Sequence, residues 1–151
     1  MTQMKLGFRF RETMSGTFYF IDTPADERPM SFSLEARVAS MRAFARDKLA
    51  RITGEVTMAG LADRRPLEGT LAMKLLDERR LPYDFSFSAD DGTRYRFRGE
   101  KNVTALAPIE SMTVLPASLY DGAGKEVARA TVKFDVRGDL KKFVRSFRLT
   151  I

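Results

Sequence analysis

The chain has no cysteine, no histidine and no tryptophan. Without cysteine there is no disulfide, no thiolate nucleophile and no cysteine-ligated zinc. Without histidine the commonest metal ligand and the commonest general base are both gone. Only all-oxygen metal sites would remain, and no Asp/Asn spacing resembles a calcium loop. Long apolar runs are missing too. Nothing approaches the ~20 residues of a membrane-spanning helix. The opening MTQMKLGFRFRET offers no apolar core for a signal peptide, so a cytoplasmic protein is expected.

What is present is aromatic and basic. The 151 residues include 12 Phe and 4 Tyr, and the net charge is +6. The length suits one domain over 1–151, large enough to fold without a staple. Arginine outnumbers lysine, but the charges are spread along the chain among acidic residues, which reads as a solvated outer face.

Apolar and polar residues alternate through most of the chain, the signature of antiparallel strands with one buried face. Leu6, Phe8 and Phe10 alternate with Lys5, Arg9 and Arg11. A turn at Ser15-Gly16 would lead to a second strand, Phe18 to Ile21. After a Pro-bounded loop, Met30, Phe32, Leu34, Ala36 and Val38 alternate again. The period then shifts. Met41, Phe44, Ala45 and Leu49 behind Ser40 predict a short capped helix. Two strands follow, around Ile52–Met58 and Leu67–Leu75, joined by a polar turn from Gly60 to Pro66.

The segment Leu81 to Phe97 predicts a hairpin. A three-residue loop, Asp90-Asp91-Gly92, pairs Phe87 with Tyr95 and Phe85 with Phe97. It also sets Ser88, Ser86 and Asp84 opposite Arg94, Arg96 and Arg98. A two-residue loop would mix apolar and polar residues on one face, so register selects the longer loop with Gly92 left-handed. Strands around Met112–Leu119 and Val127–Val136 flank Asp121-Gly122-Ala123-Gly124. Leu140, Phe143, Val144 and Phe147 predict a second short helix before a closing strand to Ile151. Nine or ten strands with short connections leave exposed edges unless the sheet closes. The expected fold is therefore all-β, an antiparallel meander closing into a lipocalin-like barrel with two short helices. A two-sheet sandwich is the alternative.

Several segments resemble a small domain associated with cholesterol-oxidase-like GMC flavin oxidoreductases. They are Phe10 to Gly16, Leu49 to Val56, Leu81 to Phe87 running through Asp91-Gly92 to Lys101, and Asp139-Leu140 to Arg148. The resemblance implies an accessory β-domain tied to lipid or steroid metabolism, with such an oxidoreductase as partner. It brings no catalytic residue, and no Gly-rich flavin fingerprint is present in the chain.

The candidate ligand-binding residues are the inward aromatics Phe8, Phe10, Phe18, Phe20, Phe32, Phe85, Phe87, Tyr95 and Phe97. They either fill the barrel or line a cavity for one small molecule. Glu12 shares parity with Phe8 and Phe10, and Lys101 shares parity with Tyr95 and Phe97. If alternation holds they form an interior ion pair at one barrel mouth; if the strands have ended, both are solvated. Carboxylate pairs are the only enzymatic candidates, and of these Asp90-Asp91 and Asp77-Glu78 are each explained by a turn. The arginines of the hairpin alternate with its aromatics, so the two face opposite sides, and a nucleic-acid surface is disfavoured. These features imply no cofactor and a non-enzymatic accessory or binding protein for a lipid or sterol. The alternative is an interaction module that docks on an oxidoreductase or self-associates.

Overall fold

The computed structural model describes residues 6–74, 78–102, 113–134 and 145–150. In chain order the elements are β1 (Gly7–Phe20), β2 (Arg28–Val38), α1 (Met41–Asp47), β3 (Leu49–Met58), β4 (Ala62–Ala72), β5 (Arg80–Ser88), β6 (Arg94–Asn102), β7 (Val114–Tyr120), β8 (Glu126–Lys133) and β9 (Arg148–Thr150). Each of β1 to β8 pairs antiparallel with the next, and β1 also pairs with β8. The sheet thus closes into an eight-stranded up-and-down barrel, lipocalin-like in its connectivity.

Two sequence expectations change. Ser15-Gly16 is no turn: β1 runs unbroken, and Phe8, Phe10, Glu12, Met14 and Phe18 keep one parity and are all buried. The polar turn after β3 is shorter than Gly60 to Pro66, because β4 already begins at Ala62 and Pro66 pairs with Glu55. The described residues hold one helix rather than two. The expected second helix lies outside the described residues except at its end, where Phe147 directly precedes β9.

Strand β1 meets two partners on its second edge. Ser15 to Phe20 pair with β8, and Gly7 to Arg9 pair with β9. Between them the backbone N–H of Arg11 donates to Ser146 Oγ at 2.7 Å. An edge that β8 leaves open is thereby covered. Closure also needs sharp strand bending. An ideal Cβ on Gly16 would sit 2.0 Å from Thr131 O, and one on Gly69 would sit 1.9 Å from Asp84 O. Only glycine permits that approach of neighbouring backbones, which marks these positions as bends in the barrel wall.

The barrel has two unlike ends. At the turn end lie the tight connections β1–β2, β3–β4, β5–β6 and β7–β8. There the N–H of Gly92 (φ +87°) donates to Ala89 O, and Asp91 Oδ1 accepts from the N–H of Thr93. The hairpin register is the one the alternation requires, with Phe87 opposite Tyr95 and Phe85 opposite Phe97. At the connection end lie α1 and β9. Helix α1 is capped by Ser40, whose Oγ accepts from the N–H of Ala43 at 3.3 Å, and is stopped by Lys48 in the left-handed region. None of its residues is fully buried; Phe44 alone of its large side chains reaches the core, edge-on to Phe8 at 5.5 Å. Leu49, expected on the helix face, instead begins β3 and is exposed.

Candidate functional site

The inward aromatics divide between the two halves. Through the waist and the turn half, Phe85 and Phe97 stack at 4.5 Å, and Phe32 meets both edge-on at 5.4 and 5.7 Å. Phe18, Phe32, Phe85, Phe87 and Phe97 are all buried. Glycine and alanine at Gly69, Ala117 and Ala128 leave room for them. Large and small residues interdigitate as in a packed core. Phe20 and Tyr95 are half-buried at the rim of this end, with Arg28 over the Phe20 ring. Phe8 and Phe10 belong to the connection half. Their rings lie nearly parallel with that of Phe147, at 5.5 and 6.0 Å from it.

Below those rings sits a polar cluster. Glu12 is 7% exposed and Lys101 is 3% exposed, the two buried polar residues among those described. Glu12 comes from β1 and Lys101 from the far end of β6, so they meet across the interior rather than along a strand pair. Lys101 Nζ donates to Glu12 Oε2 at 3.3 Å, and Tyr83 Oη donates to Glu12 Oε1 at 2.5 Å. Both carboxylate oxygens are therefore satisfied. The ammonium is held less completely. It has three N–H donors, makes that single long hydrogen bond among the described residues, and faces the rings of Tyr83 at 5.1 Å and Phe134 at 5.7 Å. Burial first, and then the charge and hydrogen bond of Glu12, hold the Tyr83 phenol well above its ordinary range. Tyr83 thus stays a neutral donor.

Energetics single out this cluster. A buried ion pair replaced by well-packed apolar residues is commonly neutral or gains about 1–4 kcal/mol. This chain has ample apolar volume with which to make such a replacement. Tyr83 is the member that alternation alone does not reveal as polar machinery. The available signal is that an inward tyrosine needs a partner for its hydroxyl, and Glu12 is the inward acceptor.

The outer wall is a different surface. Arg96 forks onto Asp84 at 2.8 and 2.5 Å, Arg98 approaches the same carboxylate at 3.8 Å, and Arg94 reaches Ser88 Oγ. The Asp84 hydrogen bonds and charge raise the Arg96 pKa. An open groove of about 750 Å³ crosses this wall, with Tyr19, Arg98, Tyr120 and Arg129 on its lining. The two tyrosines share the arginine face, an arrangement the alternation within β6 does not disclose. The acidic turn residues are engaged structurally. Asp90 Oδ1 accepts from the N–H of Asp63, and Glu78 lies between Lys74 and Arg80. Asp77 lies outside the described residues. No described helix is long and apolar enough to cross a membrane.

Comparisons with family models, with curated proteins and with solved structures find no match for this chain.

Proposed function

We propose that the protein is a non-enzymatic binding barrel for an apolar small molecule carrying one neutral oxygen, a hydroxyl or carbonyl, as in a lipid alcohol or a sterol. The observation that carries this reading is the Lys101 ammonium, 3% exposed and holding, among the described residues, a single hydrogen bond of 3.3 Å. Glu12 already neutralises its charge. A second carboxylate would bring a net buried charge, which is costly. A hydroxyl or carbonyl oxygen can accept from Lys101 without adding charge. The packed turn half leaves a ligand no room there, so its place is the connection half, beside Phe8, Phe10 and Phe134. In this reading Phe18, Phe32, Phe85, Phe87 and Phe97 are core, and Lys101, Glu12 and Tyr83 select the head group.

The test has two steps. Native mass spectrometry of the purified protein, followed by denaturing extraction, detects a carried ligand. Chain-matched decanol, decanoate and decane then probe the head group by calorimetry. The reading expects decanol to bind tightest and Lys101→Met to erase its advantage over decane. Equal binding of all three, or none, refutes it. The packed interior also favours a second reading, an interaction module that docks on an oxidoreductase or self-associates. A bare chain that is dimeric or larger moves the conclusion there.

A further inference from the structure

We infer that the connection end is a docking surface for an anionic lipid bilayer. Among the described residues, the exposed large apolar side chains are Leu6, Ile21, Met41, Leu49, Phe147 and Leu149. All but Ile21 lie at the connection end. They are contiguous through the fold. The N–H of Met41 donates to Leu6 O at 2.8 Å, Leu49 follows the cap of α1, and Leu149 pairs opposite Phe8 on the edge strand β9. Phe147 stacks on Phe8, which in turn meets Phe44 of α1. Leu149 is 72% exposed and Phe147 is 44% exposed, more than isolated surface residues need explain when they adjoin one another.

The charges around this patch decide what covers it. Arg42 and Arg46 on α1, Lys48 at its cap, and Arg145 before β9 make no ion pair among the described residues. Among the described residues the nearby acids are taken. Asp47 Oδ1 accepts from the N–H of Leu49, Glu78 lies between Lys74 and Arg80, and Glu35 is shared by Arg9, Arg11 and Arg37. Apolar side chains ringed by cations that are unpaired among the described residues suit the boundary between acyl chains and anionic headgroups. The opposite end suits such a surface less, since its turns carry Asp22, Asp26, Glu27, Asp90, Asp91 and Asp121 against Lys125, with Asp26 paired to Arg28, a net negative balance. The molecule is therefore polarised along the barrel axis and would meet the bilayer connection end first. This inference stands apart from the ligand reading, because it needs no bound small molecule.

Cosedimentation tests it with vesicles of phosphatidylcholine alone and of phosphatidylcholine with phosphatidylserine, at low and high salt. The wild-type protein should partition onto the phosphatidylserine vesicles and come off with salt. Arg42→Gln with Arg46→Gln should weaken binding roughly fivefold for each cation removed. Leu149→Asp should weaken it further. All three positions are exposed, and circular dichroism of each variant confirms an unchanged fold. No partitioning, equal partitioning onto both vesicle types, or binding indifferent to these substitutions overturns the proposal. So does a dimer in light scattering that Leu149→Asp dissolves, because the occupant is then a second copy of the chain.

Discussion

The two halves of the barrel are built from the same alternation yet solve different problems. In the turn half the inward positions are aromatic or small, the connections are tight, and the rings of Phe32, Phe85 and Phe97 lock together. In the connection half, Glu12, Lys101 and Tyr83 occupy inward positions. The turn half follows packing rules alone. The connection half departs from them by placing an ion pair where apolar residues would serve stability as well or better. Where one half of a fold breaks a rule that the other half obeys, function is the first place to look for the reason.

Truncation sharpens this contrast most. Phe97→Ala removes a fully buried ring from the stack and should cost about 3–5 kcal/mol in urea unfolding. Phe147→Ala, at the partly exposed rim of the other half, should cost about 1 kcal/mol or less. Equal costs would erase the division between the packed half and the half that holds the polar cluster.

The ion pair gives the next test. Glu12→Ala strands a buried ammonium and should also cost about 3–5 kcal/mol. Glu12→Leu combined with Lys101→Met should be neutral or stabilising by about 1–4 kcal/mol while abolishing preference for decanol over decane. A double variant that unfolds would make the pair a structural requirement instead of a recognition device.

Tyr83→Phe removes a donor from a buried carboxylate and should cost about 1.5–3 kcal/mol. It should also change the alkaline limb. The folded state keeps the Tyr83 proton beyond the pH at which the unfolded chain releases it, because burial and Glu12 raise the phenol pKa. That contribution is complete below about pH 10 and is lost as pH climbs above it. The wild type should therefore lose stability above about pH 10 more steeply than Tyr83→Phe. Parallel curves would contradict the buried phenol.

The smallest effects compare the punctuation of the two ends. Gly92→Ala forces a side chain into the left-handed region, and Ser40→Ala removes the cap of α1. Each should cost about 1 kcal/mol in thermal unfolding. The first should leave vesicle binding unchanged and the second should reduce it, since only α1 belongs to the docking end.

Much of the fold was legible because the side-chain period of a strand is two and one face is buried. That single constraint set the register of Phe85 against Phe97 and the conformation of Gly92. It misled at Ser15-Gly16, where a glycine marks a bend within β1 and not its end. It also stretched the β3–β4 turn to Pro66, although that proline lies inside β4 and pairs with Glu55. Parity put Glu12 and Lys101 inside, but their meeting across non-adjacent strands depends on barrel closure, which no local pattern encodes. Tyr83 looked like core for the same reason. The basic-apolar end was hidden because its members come from Leu6 ahead of β1, from α1 and β3, and from the run around β9, distant in sequence and united only by topology.

The most direct measurement is a backbone-amide NMR titration of the protein with decanol. The account expects the largest shifts around Glu12, Tyr83 and Lys101, with the Asp90–Thr93 turn silent. Shifts centred on the turn end, or none at saturating decanol, would contradict it.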